Sequence, residues 1–322
     1  MPLPLNRSPA KMIPGQHYDA LNGESFKQMM RALQSLIGEL EQDCSLKQPD
    51  HLRHRIEALD RLDAYLLDEQ FDGQSPNHTI AEIYPRAKAL YTKLELVNFE
   101  LYQAIRYEIQ RATGPYELLQ RLANQSGQRE DTIGPTDGEG YDYLDELVSG
   151  VLQFEKPANG IVQLPAEMVF YQPTPARHIF DLLHLTALNE QDVLIDLGSG
   201  LGHVPLLATI CTGAHSIGIE LETAYVHCAR QSAQALNLSN AEFIQQDARS
   251  ADLSSGTVFY LYTPFIGTIL RTVLDSLRHE AANRQIRICT FGPCTAIIAE
   301  EQWLEALGPV EAHRIAIFSS RN

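Results

Sequence analysis

Asp196, Glu220 and Asp247 each stand at the end of a short stretch that reads as a strand, and the first of them leads straight into a glycine-rich turn. The turn reads Asp196-Leu-Gly198-Ser199-Gly200-Leu-Gly202-His203, with Val193-Leu-Ile before it and apolar sequence from Val204 to Ile210 after it. Glycine belongs where the backbone takes dihedral angles closed to other residues, or where another group must come close to the main chain. A strand that ends in such a turn and feeds a helix points amide N–H groups, and a partial positive charge, at whatever lies above the sheet edge. That geometry suits a nucleotide-like ligand. A carboxylate at the end of the next strand, Glu220, is placed to accept both hydroxyls of a ribose, with Glu222 as the second candidate. The bland alternative is a ligand-free strand–turn–helix. Three acids in this order at strand ends argue against it, because open α/β sheets bind ligands at the carboxyl ends of their strands.

The elements that must carry these residues are legible as alternating strands and helices. Thr174 as N-cap with Pro175 in the first turn predicts a helix whose buried side carries Ile179, Leu182 and Leu183. Strands are expected at Val193–Asp196, Ser216–Ile219, Ala241–Asp247, Thr257–Tyr262 and Gln285–Phe291, with a helix over about Ala224–Leu236. After the Gly292-Pro293 turn a helix is expected to run to Leu307, leaving room for one last strand, Ala312–Ser319. The sheet is then either short at that edge or completed by Val162–Phe170.

The G-x-G-x-G spacing, with His203 where a dinucleotide fingerprint would place its last glycine, resembles motif I of the class I, seven-strand S-adenosylmethionine-dependent methyltransferases. The resemblance covers roughly Thr174 to the C-terminus. It implies a Rossmann-like α/β methyltransferase sheet with helices on both faces. It also implies a cofactor set: Asp196, Gly198, Ser199, Gly200 and Gly202 at the amino-acid end, Glu220 on the ribose, and Asp247 with Ala248 at the adenine. Tyr171 and Thr174 are similar to the segment that closes over the cofactor in the seven-strand histone-core lysine methyltransferases, which makes both cofactor contacts. The end of the fourth strand, Tyr262-Thr-Pro-Phe265, stands where this family faces the transferred methyl group, so Tyr262 and Phe265 are the catalytic candidates. Members that methylate nucleobase amines carry Asn/Asp-Pro-Pro-Tyr/Phe there. This chain lacks the polar first residue and the first proline, and that departure speaks against base methylation. An aromatic rim of Tyr260, Tyr262 and Phe265 suits a methyl group on a cationic sulfur.

Length and composition set the frame. At 322 residues the chain has room for two domains. Its apolar content of 44% and charged content of 20% are those of a soluble globular protein. No apolar run reaches the length of a membrane span. The five cysteines form no C-x-x-C pair, which suits reduced thiols in a cytosolic protein. A net charge of −16 lowers the expectation of a nucleic-acid acceptor. Residues 1–23 read as a proline-bearing arm, and residues 24–128 as a helical domain. Its stripes are Met29, Leu33, Leu36, Ile37 and Leu40, then Leu52, Ile56, Leu59, Leu62 and Leu66, then Leu90, Leu94, Val97, Leu101, Ile105 and Ile109. Pro85 should kink the third helix or delay its start. His51 and His54 lie three apart, but no third ligand has a fitting spacing, so no metal is expected. This bundle is either a substrate-recognition cap or the surface of a homodimer.

Residues 129–165 form an acidic stretch. Between Arg129 and Lys156 there is no basic residue, while Glu130, Asp131, Asp137, Glu139, Asp142, Asp145, Glu146 and Glu155 are acidic. It reads as a solvated linker or as an acidic lip for a cationic acceptor. Gly150–Phe154 and Gly160–Leu164 echo each other around Asn159-Gly160 and predict a small hairpin. Residues 166–322 form the cofactor domain. The expectation is therefore a methyltransferase using S-adenosylmethionine, whose acceptor is a protein side-chain amine or a small molecule rather than nucleic acid, with no membrane partner. Two alternatives stay open: a non-catalytic cofactor-binding and protein-interaction module, and a nicotinamide-dependent oxidoreductase, which would also use Glu220 but would place glycine at His203.

Overall fold

The computed structural model of the chain describes residues 23–66, 78–111, 140–155, 167–169 and 171–321. The arm expected over residues 1–23 lies outside them but for Gly23, as does the second half of the expected hairpin, Gly160–Leu164. The chain divides into two compact units, residues 1–104 and 105–322.

The first unit is helical. Helix α1 spans Gly23–Gln42, α2 spans Leu52–Leu66, and α3, His78–Arg111, begins here and crosses into the second unit. The helical period is visible in what is buried: Leu33, Leu36, Ile37 and Leu40 of α1, Leu52, Ile56, Leu59 and Leu62 of α2, and Leu90, Leu94 and Leu101 of α3. Two places in the stripes shift by one residue. Met30 is buried rather than Met29, and on α3 Asn98 is buried while Val97 is half-exposed. Pro85 does not delay α3, which starts at His78 and runs through it. A proline in a helix removes one amide bond, and one bond is a small fraction of a helix of 34 residues.

Asn98 is buried because Arg55 is. The Arg55 guanidinium is fully enclosed, donates from Nε to Asn98 Oδ1 at 2.6 Å, and reaches the carbonyls of Leu46, Gln48 and Pro49. Those carbonyls belong to the two short 3-10 turns that join α1 to α2, so one side chain ties that connection to α3. Burial lowers the Arg55 pKa from its ordinary value.

The second unit is built on a seven-stranded sheet. Its strands are β1 Val193–Leu197, β2 His215–Glu220, β3 Ala241–Gln245, β4 Val258–Tyr262, β5 Arg287–Phe291, β6 Leu304–Ala306 and β7 Ala316–Ser320. They lie in the order β3-β2-β1-β4-β5-β7-β6. All neighbouring pairs from β3 to β5 are parallel; β7 pairs antiparallel with β5, and β6 antiparallel with β7. The order reverses beside β1, so a crevice opens between the carboxyl ends of β1 and β4. The helices are α4 Tyr143–Leu152, α5 Ala176–Thr186, α6 His203–Thr212, α7 Thr223–Ala235, α8 Gly267–Ala281 and α9 Cys294–Ala299. The central strands β1, β4 and β5 are buried along nearly their whole length, as expected when helices cover both faces, whereas the edge strand β3 leaves Glu242, Ile244 and Gln245 exposed.

Three expectations are corrected. The stretch Gly150–Phe154 does not form a hairpin strand, because Tyr143–Leu152 is helical. Its start is fixed by a capping box in which the Asp142 and Asp145 side chains each accept a main-chain amide of the other's turn, and its apolar side, Leu144, Leu147, Val148 and Val151, is fully buried. The helix after Gly292-Pro293 stops at Ala299 rather than at Leu307. Leu304–Ala306 instead pairs with β7 and covers an edge that would otherwise carry unpaired main-chain groups, which makes two strands where one was expected. Thr174 does not cap α5; the N-cap residue is Pro175, and the Thr174 hydroxyl bonds elsewhere.

Replacement of Arg55 by methionine should lower the unfolding free energy by about 3 kcal/mol, since each buried carbonyl left without a donor costs about 1–3 kcal/mol. Urea titration followed by circular dichroism measures it; an unshifted midpoint would mean that water replaces the guanidinium.

Candidate functional site

The crevice at the switch in strand order is a cleft of about 450 Å³, within the usual range for small-molecule sites. It is lined by the ends of β1, β2 and β4, the segment 171–174, and the loop after β3.

The glycine loop forms its floor. Gly198, Gly200 and Gly202 all have positive φ (92°, 52° and 85°), a region that side-chain-bearing residues rarely adopt. Each is also closely approached. A Cβ on Gly198 would lie 2.2 Å from Pro264 Cβ, one on Gly200 2.0 Å from the Tyr171 ring, and one on Gly202 2.5 Å from Phe243. Gly198 lines the cleft, whereas Gly200 and Gly202 lie behind it, as the seats of Tyr171 and Phe243. Ser199 lines the cleft too, but its hydroxyl is buried against Gly218 and finds no hydrogen-bond partner among the described residues.

Main-chain amides of this loop were expected to face a ligand. Four of them bond within the protein. Gly198 N and Ser199 N donate to Ile219 O at 2.9 and 3.1 Å, Gly202 N to Ser199 O at 2.8 Å, and Gly200 N to Glu220 Oε2 at 2.8 Å. The lining instead carries five carboxylates, Glu167, Asp196, Glu220, Glu222 and Asp247, against one guanidinium, Arg249. A pyrophosphate would find few donors and much negative charge here. A cationic, phosphate-free ligand is what this cleft fits. That separates the two cofactor readings: the site disfavours a nicotinamide dinucleotide and suits a sulfonium.

Glu220 is the best-positioned of the acids. Oε2 accepts from Gly200 N, Oε1 accepts from Glu222 N at 2.8 Å, and each oxygen keeps a lone pair for a ribose hydroxyl. Burial raises its pKa, while those amides oppose the rise. Asp196, 4% exposed, is raised well above the ordinary carboxyl range, first by burial and then by the charge of Glu220. Asp247 is held lower by Arg249, whose Nη2 stands 2.6 Å from Oδ2. Its carboxylate is thus already shared with a guanidinium, and Ala248 lines the cleft beside it.

Tyr171 closes the other side. Its ring lies on Gly200, packs at 5.0 Å from the Tyr225 ring, and its hydroxyl hydrogen-bonds His203 Nδ1 at 3.2 Å. Burial lowers the His203 pKa to about 4, so the imidazole is neutral at physiological pH. Thr174 Oγ1 bonds the hydroxyl of the buried Tyr260 at 3.0 Å.

Beyond the end of β4, Tyr262 and Phe265 both line the cleft. The Tyr262 ring packs against Phe291, tilted by 46° at 4.7 Å between centroids. Phe265 is largely core, 3% exposed, and forms a bridge with Met168. Between them Thr263 adopts φ +37°, uncommon for a β-branched residue. Its hydroxyl bonds Phe291 O at 3.4 Å and accepts from Cys294 N at 3.2 Å, so the ends of β4 and β5 clasp each other. Sequence reasoning missed Thr263, Pro264 and the partnership of His203 with Tyr171. Only the Thr-Pro pair carried a signal, as a turn after a strand.

Residues 168–256 match the family model described as histone methylation protein DOT1. No curated protein matches the chain. Three solved structures are similar to it. An RNA methyltransferase from Salinibacter ruber in complex with S-adenosyl-L-homocysteine is 25% identical, covering 46% of this chain and 92% of its own, at a TM-score of 0.38. The putative methyltransferase yhhF from Escherichia coli is 17% identical, over 50% and 91%, at 0.38. MtNAS in complex with MTA and tNA is 11% identical, over 92% and 98%, at 0.38. The family match over the cofactor half, the seven-strand order and the carboxylate-lined cleft together identify a class I S-adenosylmethionine-dependent methyltransferase domain. When bound, the cofactor supplies an electrophilic methyl group on sulfur; Glu220 would hold its ribose, Asp196 and the Gly198 turn its amino-acid end, and Asp247 with Ala248 its adenine.

Glu220→Ala should weaken S-adenosylmethionine binding about ten- to a hundred-fold, the worth of roughly 1.5–3 kcal/mol for hydrogen bonds to a charged group. Calorimetric titration measures it, and equal affinities would remove Glu220 from the site. Affinity should also rise with pH. Asp196 is raised in the free protein, a cationic ligand favours its ionised form, and binding therefore releases a proton. Titrations in buffers of different ionisation enthalpy count that proton.

Proposed function

We propose that the domain transfers the methyl group to a side-chain amine of a protein, a lysine, in the cytosol. The observation that carries this reading is the charge of the cleft, five lining carboxylates against one guanidinium, combined with an aromatic methyl-facing end at Tyr262 and Phe265. Carboxylates draw a cationic side chain to the cleft. The apolar end then disfavours its charged form, because desolvation lowers the pKa of a buried ammonium. The amine arrives neutral and its lone pair is free to attack. Transfer then needs alignment with the methyl–sulfur axis more than a general base, and orientation of that kind is worth on the order of 7–11 kcal/mol at its upper end.

The matched family's description, histone methylation, supports a basic protein as acceptor. A nucleic acid suits the chain less well, with a net charge of −16 and an acidic cleft. The five cysteines are all free, which fits a reducing compartment, and no helix among the described residues is long and apolar enough to cross a membrane.

Incubation of the purified chain with methyl-labelled S-adenosylmethionine and either basic proteins, core histones among them, or RNA tests the proposal. Label on a lysine, located by mass spectrometry, is the expected result; label on RNA alone would overturn it. Tyr262→Ala should lower kcat on the order of a hundred-fold, as displaced alignment does, with cofactor affinity little changed. Single-turnover rates and calorimetry separate the two.

A further inference from the structure

The segment that covers the glycine loop is held from outside the sheet. Tyr171–Pro175 carries Tyr171 onto Gly200 and Thr174 onto Tyr260, and it runs directly into α5. The first amide of α5 has no cap from its own N-cap residue, Pro175. Ala176 N donates instead to Asp145 Oδ1, at 2.8 Å, and Asp145 is a residue of α4. The other oxygen, Oδ2, accepts from Asp142 N at 2.7 Å, within the capping box of α4. One carboxylate therefore caps two helices, and the second of them opens at the cofactor-covering segment. Unsatisfied amides at helix N-termini favour an ionised acceptor.

Two further contacts come from residues flanking α4. The Tyr141 hydroxyl donates to Pro173 O at 2.9 Å, in the middle of the segment. Phe154 packs on the His203 ring at 4.6 Å, and His203 bonds Tyr171. The helix itself is anchored: Ser232 Oγ donates to Leu152 O at 2.9 Å, and Arg106 donates to Val151 O. It is a fixed body against which the segment is set.

We propose that Asp145 is a positioning residue for cofactor binding: by bridging the amides of Asp142 and Ala176, its carboxylate fixes the Tyr171–Pro175 segment where Tyr171 closes on the glycine loop. Only an ionised carboxylate presents both oxygens purely as acceptors, since protonation turns one of them into a donor facing an N–H. Burial raises the Asp145 pKa to about 6, against the two amides that lower it. The charged groups that face it are Asp142 on the turn before α4, which raises it, and Arg177 on α5, which lowers it; these two stand 4.0 Å apart. The switch of this carboxyl thus falls just below neutral pH. The segment should hold the cofactor more tightly above that pH than below it.

Asp145→Asn separates this role from packing, because it keeps size and shape and removes one acceptor. Calorimetry with S-adenosylmethionine should show affinity about tenfold weaker than wild type at pH 8, and nearly equal to wild type at pH 5, where the native carboxyl is itself neutral. Equal affinities at both pH values, or the same loss at both, would overturn the proposal. Binding by the wild-type chain in the same experiment tests the cofactor separately. Hydrogen exchange on the wild-type chain needs no variant: protection of the Ala176 amide, corrected for intrinsic rates, should fall between pH 8 and pH 5, and a flat profile would overturn the proposal equally.

Discussion

The cofactor half of this protein depends on the bonds between the Glu220 carboxylate and the amides of Gly200 and Glu222. They tie the loop after β1 to the end of β2, so the glycine turn and Glu220 form one piece. Burying a carboxylate is costly unless its oxygens are satisfied. Two amides meet that cost here, and the glycines let the chain turn sharply enough to bring one of them within reach. Asp196 stands close behind on the same floor, its pKa raised by burial and by the charge of Glu220. The result is a floor of two raised carboxyl groups, and a cation that reaches it favours their ionised forms.

The walls of the cleft are set by contacts that cross between strand ends. Pro264 sits on Gly198, and Thr263, in a left-handed conformation, is clasped by Phe291 and Cys294. Gly292, at φ +83°, leaves the space that Thr263 and Tyr262 occupy. Strain of this kind persists only where its surroundings over-determine it. On the opposite wall the segment from Tyr171 to Pro175 is braced by Tyr260, His203 and the helix Tyr143–Leu152. The acidic stretch before the sheet therefore includes a buried element that contributes to the site, as well as solvated charge.

Much of the site was readable from residue order alone. Asp196, Glu220, Asp247, Tyr262 and Phe265 were placed at strand ends by their sequence context, and all of them line one cleft. What could not be read was the destination of main-chain groups. The loop amides were expected to face a ligand and instead bond Ile219, Ser199 and Glu220. Thr174 has the sequence signature of a cap, yet its hydroxyl reaches Tyr260, 86 positions along the chain. Asp142 and Asp145 read as surface charge because they stand in an acidic run, although their spacing is that of a capping box and Leu144, Leu147, Val148 and Val151 behind them repeat with a helical period.

The sequence by itself determined the alternation of strand and helix, the glycine turn, and the acids at the strand ends. Each of these is local: a period of two or 3.6 residues, or a conformation only glycine adopts freely, is decided within a few residues. The tertiary structure decided the short edge strand Leu304–Ala306, the helix in place of a hairpin at Gly150, and the double capping by Asp145. For the edge strand and for the second cap, the partner that satisfies a main-chain or carboxylate group lies outside the element itself, on β7 and on the helix that opens at Ala176. The helix at Gly150 is held by local bonds, and what the folded chain decides there is that its apolar side is buried. A three-residue strand has no period to read, and a carboxylate's second hydrogen bond leaves no mark on its neighbours. Only the folded chain brings those donors and acceptors together.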